Sequence, residues 1–156
     1  MSQTPQEIAH YFAYGSNHNP LRMTERGVTF TDRQPASLPG YQFRLNKRRL
    51  NGTVAANIQE NSTETVHGVL YTCTPDVFEK LDRFEGVKGG HYARVPVTVM
   101  CGGTPRVAIT YVACANRIAD EICKVETEYL EHILCGRDLL PPDYVVFLET
   151  FRSWCV

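Results

Sequence analysis

The chain has 156 residues, 43% of them hydrophobic and 21% charged, a composition that speaks for one globular domain and against a disordered chain. Sixteen basic residues against seventeen acidic ones leave a formal net charge of −1, which offers no broad positive field for nucleic acid or an anionic membrane surface. No run approaches the roughly 18 uninterrupted apolar residues of a membrane helix, and the first seven residues are polar and lack the apolar stretch of a secretory leader. One soluble, cytoplasmic domain over residues 1–156 is the expectation.

Residues 8–16 read as a strand running into the tight turn Gly15-Ser16-Asn17. Asn19-Pro20 then has the form of a helix start, asparagine as cap and proline first, with Gly27 stopping the helix after Arg26. Three strand-like runs follow at 41–46, 53–59 and 65–72, separated by polar or glycine-bearing turns, and Lys47-Arg48-Arg49 reads as a solvated strand end. Thr74-Pro75 opens an amphipathic helix, capped by Thr74, with Val77, Phe78, Leu81 and Phe84 on one face.

After Gly89-Gly90 comes clear alternation, Ala93, Val95, Val97 and Val99 on one side and Tyr92, Arg94, Thr98 and Met100 on the other. Pro96 inside it predicts an edge strand or a bulge. Gly102-Gly103 turns this strand into an antiparallel partner at 107–115. The last third is helical: Val125, Tyr129, Leu130, Ile133 and Leu134 mark one helix, and Tyr144, Phe147, Leu148 and Phe151 another. This mixed order is that of an α+β protein with a mainly antiparallel, possibly closed, sheet.

The six cysteines form no C-x-x-C pair and, lying mostly in apolar runs such as 70–73 and 133–135, are expected to be buried free thiols rather than disulfides. The sequons Asn51-Gly52-Thr53 and Asn61-Ser62-Thr63 then carry no meaning, because glycosylation needs the secretory route. The five histidines show no ligand spacing, so no metal is called for.

Two segments hold candidate chemistry. Tyr11-Phe12-Ala13-Tyr14-Gly15-Ser16-Asn17 is either an ordinary strand-to-helix turn or a concavity of backbone N–H groups suited to a carboxylate or an oxyanion. It lacks the length and lysine of a phosphate-binding loop, which argues against nucleotides. Glu85 closes the amphipathic helix ahead of Gly86, Gly89 and Gly90. It is either a solvated glutamate at a frayed helix end or a partly buried carboxylate whose raised pKa suits general acid/base work. Asp82 and Glu79 read as the solvated face of that helix. Ser16 lacks the G-x-S-x-G context of a hydrolase nucleophile.

The string Tyr11 to Asn17 resembles the opening signature of the γ-glutamylcyclotransferase family. Leu81-Asp82-x-x-Glu85-Gly86-Val87 with Gly90-x-Tyr92 resembles its catalytic segment, and the tail from Tyr129 through Leu140-Pro141-x-x-Tyr144 resembles its closing helices. The likeness runs over nearly the whole chain, most loosely at 27–60. It implies a small mixed β-barrel with flanking helices and a cavity at one end. It also implies a cyclising acyl transfer of lyase type, the release of 5-oxoproline from a γ-glutamyl compound by intramolecular aminolysis, without cofactor.

The resemblance assigns catalysis to Glu85, substrate binding to Tyr11, Phe12, Ala13, Tyr14, Gly15, Ser16 and Asn17, and pocket-lining positions to Tyr92 and Tyr111. One carboxylate can take a proton from the attacking α-amine and return it to the departing amine. The substrate is then a γ-glutamyl dipeptide or a γ-glutamyl-protected amine, butirosin-type antibiotic intermediates included. The glutathione-specific branch is less similar at the first loop. The other class open is a binding module that holds a γ-glutamyl or other acidic small molecule without turnover. Oligomeric state is not written in the sequence.

Overall fold

A computed structural model describes residues 7–121 and 123–156. In chain order it contains β1 (Ala9–Ala13), a 3-10 turn (Ser16–His18), α1 (Pro20–Glu25), β2 (Asp32–Arg48), β3 (Val54–Cys73), α2 (Val77–Phe84), β4 (Tyr92–Cys101), β5 (Thr104–Ala113), α3 (Thr127–Leu134), α4 (Pro142–Glu149) and a closing 3-10 turn (Thr150–Trp154). The strands close into a barrel in the order β1-β3-β2-β4-β5. All neighbours are antiparallel except β1 and β5, which meet in parallel where Tyr11 faces Ile109. This is the α+β barrel with flanking helices that the sequence implied. No described helix is long and apolar enough to cross a membrane.

The β2–β3 hairpin departs from expectation. The runs expected at 53–59 and 65–72 fall in one twenty-residue strand that begins at Val54, and β2 begins at Asp32, well before the run at 41–46. The polar turn expected near residue 60 survives as an irregularity, where pairing jumps from Pro39↔Thr65 to Tyr41↔Glu60. Pro35 and Pro39 conceal the first half of β2 from pattern reading, since proline is excluded from central strands. They are tolerated because the other side of β2 meets β4 at a single pair, Ser37↔Met100. Pro96 fits by the same logic: β4 pairs along its length with β5 and at that one point with β2, so most of one side is edge-like.

A second shift in register, between Leu45 and Lys47, leaves Asn46 as the extra residue of a bulge. Bulges re-aim side chains. Here Leu45, Asn46 and Lys47 are all buried in succession, which strict alternation forbids.

Alternation elsewhere divides the apolar residues between two clusters. Phe12 joins Leu38, Ile58, Leu70 and Val99 against Leu130 and Ile133 of α3 and Leu148 of α4. Tyr11 and Ala13, on the opposite face of β1, join Val69 and Tyr71 against Met23 of α1 and Val77, Phe78 and Leu81 of α2. Each fully buried side chain of this size contributes about 1.5–3 kcal/mol. Asn19 caps α1 as its position predicts, its Oδ1 accepting from Leu21 N at 3.1 Å.

Three apolar expectations fail at element ends. Phe84, in the last turn of α2, is 51% exposed and lies under the Arg26 guanidinium, 4.9 Å from its centroid. Phe147 is 40% exposed. Cys135, just past α3, is exposed, and of the other free thiols Cys73 and Cys101 are buried while Cys114, Cys123 and Cys155 are half-buried. Thr74 does not cap α2; its hydroxyl bonds the carboxylate of Asp76, the residue at the cap position.

Candidate active site

A cavity of ≈ 450 Å³ opens where the end of β1, the end of α2 and the bulged end of β2 converge. Its first wall is the turn after β1. Tyr11, Tyr14, Gly15, Ser16 and Asn17 line it, whereas Phe12 and Ala13 do not and instead pack into the two apolar clusters.

The turn is held from several sides. Asn17 Nδ2 donates to the Tyr11 hydroxyl at 2.9 Å, and the Tyr71 hydroxyl donates to Asn17 O at 2.5 Å. His18, fully buried, meets Ile133 O of α3 through Nδ1 at 2.9 Å, and burial depresses its pKa to about 4, so the ring is neutral. Among the described residues, nothing accepts from the backbone N–H of Ser16 or Asn17. Both residues border the cavity, so their N–H groups are candidate donors to a ligand.

Glu85 sits at the C-cap of α2, its N–H bonded to Leu81 O at 2.8 Å. Gly86 follows at φ +63, where a β-carbon would also meet the His91 ring at 2.9 Å; only glycine both reverses the chain here and admits His91. Burial pushes the Glu85 carboxyl up to about 7, against the pull of Arg26, Arg22 and Lys47. The helix C-terminus adds to the cost of the anion. Asp82, expected on a solvated face, is instead engaged: it accepts from the Tyr111 hydroxyl at 2.7 Å and from Arg94 Nε at 3.1 Å. Although burial pushes its pKa up, the bonds from Arg94 and Tyr111 win and hold it below the usual carboxylate range.

Five tyrosines surround Glu85 in the cavity wall. Burial first, and then the charge of Glu85, pushes the Tyr11 and Tyr14 hydroxyls well above their ordinary value, so both stay protonated. Their protons differ in availability. Tyr14 donates to Tyr111 O at 2.5 Å, Tyr92 to Ala56 O at 2.7 Å, and Tyr111 to Asp82. Tyr11 and Tyr129 are met by donors, Asn17 Nδ2 and Ala56 N, which leaves their own protons free for a ligand. Thus Tyr92 and Tyr111 line the cavity, but their hydroxyl protons are committed to the protein.

Sequence reasoning missed the cationic wall. Arg22, Arg26, Lys47 and Arg49 all line the cavity. Arg22 Nε donates to Ser16 Oγ at 3.1 Å and Arg26 Nη1 to Asn17 Oδ1 at 3.2 Å, so both brace the turn. Arg49 pairs with Glu126 at 2.5 Å. Lys47 is only 6% exposed, the reverse of a solvated strand end, because the bulge at Asn46 turns it inward. Arg22 of α1 and Arg26, the residue that caps its C-terminus, stand four apart, a spacing visible in the sequence; nothing there marks the bulge.

Among the described residues no group of three or more His, Cys, Asp or Glu side chains is placed to hold a metal. A second cavity, ≈ 980 Å³, lies between β2, β3 and α4 and contains none of these residues.

The family described as Gamma-glutamyl cyclotransferase, AIG2-like, matches residues 11–131, which includes every wall of the cavity. No curated protein matches the chain by sequence. Among solved structures, one named gamma-glutamyl cyclotransferase superposes with a TM-score of 0.78 at 24% identity, covering 92% of this chain and 87% of its own. The uncharacterized protein loc79017 from Homo sapiens gives 0.80 at 25% identity, over 92% of this chain and 88% of that one. YkqA from Bacillus subtilis gives 0.84 at 29% identity, over 96% of this chain but 56% of YkqA.

Proposed function

This chain belongs to the AIG2-like γ-glutamyl cyclotransferase family, and on that premise we propose that it releases 5-oxoproline and a free amine from a γ-glutamyl compound, with Glu85 moving the protons. The observation that carries this reading is a single carboxylate of pKa near 7 in the same small cavity as two unengaged backbone N–H groups.

Glu85, ionised, takes a proton from the substrate α-ammonium, and the freed amine attacks its own γ-carbonyl carbon to close a five-membered ring. The oxyanion so formed, or the α-carboxylate, rests on the N–H groups of Ser16 and Asn17. The amide C–N bond breaks as Glu85 returns its proton to the leaving nitrogen. The proton then shed by the ring nitrogen completes the product ammonium. Both reacting groups belong to one molecule, so holding it folded over Glu85 supplies much of the rate.

Four cationic side chains line the cavity against one carboxylate. A polycationic aminoglycoside would enter against that field, whereas a γ-glutamyl dipeptide brings two carboxylates to it. The dipeptide is therefore the favoured substrate, and a role in antibiotic biosynthesis the less favoured one. The unpaired thiols, one of them exposed, fit a reducing compartment and so support a cytoplasmic location. Incubation with a panel of γ-glutamyl dipeptides and γ-glutamyl amines, with 5-oxoproline read by chromatography, tests the reading. Product is expected from the dipeptides first; absence of product across the panel would overturn the proposal in favour of a binding module.

A further inference from the structure

We propose that Lys47, steadied by His91, is the subsite for a carboxylate on the leaving portion of the substrate. The inference rests on the cyclotransferase reading above and adds to it the residue that selects the leaving amine.

Lys47 is a buried cation: burial and the charges of Arg117 and Arg49 hold its pKa below the ordinary lysine value, with Glu85 pulling the other way. Its Nζ lies 2.8 Å from His91 Nδ1 and 5.4 Å from the centroid of the Tyr92 ring, and among the described residues it makes no ion pair. Burial, and then the charges of Lys47 and Arg117, hold the His91 pKa down, so the neutral ring accepts and the ammonium donates. An ammonium has three protons, and this bond uses one. A cation held out of water with donors to spare is costly unless an anion comes to it. The other three cations of the cavity are already engaged, Arg22 and Arg26 with the turn and Arg49 with Glu126.

The wall on which Lys47 stands points to the anion. Arg22 and Arg26 are bonded to Ser16 and Asn17 of the turn, whereas Lys47 is held apart from it, by His91 and over the Tyr92 ring, and the charges of all three reach Glu85. The scissile amide has two sides as well. One carries the α-amine and α-carboxylate of the γ-glutamyl group, which fall to the turn braced by Arg22 and Arg26. The other carries the leaving amine, and a carboxylate there meets Lys47.

The test compares kcat/KM for γ-glutamylalanine and γ-glutamylethylamide, which differ by that carboxylate alone, in wild type, Lys47→Met and Lys47→Arg. Wild type should prefer γ-glutamylalanine by about tenfold or more, the worth of a charge-assisted hydrogen bond. Lys47→Met should bring the ratio close to one, chiefly through KM of the dipeptide, and Lys47→Arg should restore most of it. An unchanged ratio in Lys47→Met overturns the subsite, even if both rates fall together, since a merely structural role or an effect on Glu85 acts equally on both compounds. Should Lys47→Met fail to fold, absence of preference in wild type overturns it by itself. If wild type yields 5-oxoproline from neither compound, the cyclotransferase reading fails, an outcome distinct from product formed without preference.

Discussion

Glu85 owes its chemistry to cost. Its carboxylate stands at the negative end of a helix and among buried tyrosines, so the charged form is disfavoured until about pH 7. As the proposed base, it must be ionised to act: kcat/KM for a γ-glutamyl dipeptide should climb about tenfold per pH unit below 7 and level off above it, read from initial rates. The same shift makes a stability prediction. The pKa is raised above its ordinary 4.5, so the protonated form favours folding. That contribution is complete below pH 4.5 and lost as pH rises through about 7. Glu85→Gln should therefore melt like wild type at pH 4.5 and a few degrees above it at pH 8, by scanning calorimetry. Residue type and place in the chain left Glu85 open between a solvated helix end and a working carboxylate, and the family resemblance singled it out, whereas Lys47 was concealed because its orientation depends on one extra residue in a strand.

At the scale of elements, the site depends on how closely β1 lies on β3. Pairing sets Ala13 opposite Val69, next to Gly68. A β-carbon at Gly68 would meet Ala13 O at 2.3 Å and the Phe12 ring at 2.9 Å. Gly68→Ala should accordingly cost about 3 kcal/mol in urea unfolding, at the upper end for overpacking, and should impair turnover by shifting the turn that β1 feeds. Elements with an unbroken period or a clear turn or cap were readable: α2 from the spacing of Val77, Phe78 and Leu81, β4 from alternation, β5 from the Gly102-Gly103 turn, α1 from Asn19-Pro20. The first half of β2 was not, because its prolines and polar residues deny a strand that only partners distant in sequence create. Phe84 and Phe147 misled for a related reason, since helical spacing says which face a residue shares but not where the protein beneath it ends.

Across the whole molecule, a formal charge of −1 conceals segregation: four cations line one cavity, and the rest of the chain carries the balancing acids. Such a field draws anionic substrates in and weakens with salt. We expect kcat/KM for a γ-glutamyl dipeptide to fall several-fold between low salt and about 0.5 M sodium chloride, while that for a γ-glutamyl amine carrying one carboxylate falls less. Equal loss for both would mean that salt acts on the protein rather than on the encounter. The barrel sets the arrangement that makes this possible, bringing residues from β1, α1, β2, α2 and β5 to one cavity although Tyr11 and Tyr111 are a hundred residues apart in sequence. The most direct test of the account is the rate of 5-oxoproline release at pH 8 by Glu85→Gln beside wild type, with the substrate the wild type prefers. A fall of about 10²–10⁴-fold with folding intact is predicted. Turnover within a few-fold of wild type would contradict it, and would mean that another group in the cavity carries the proton.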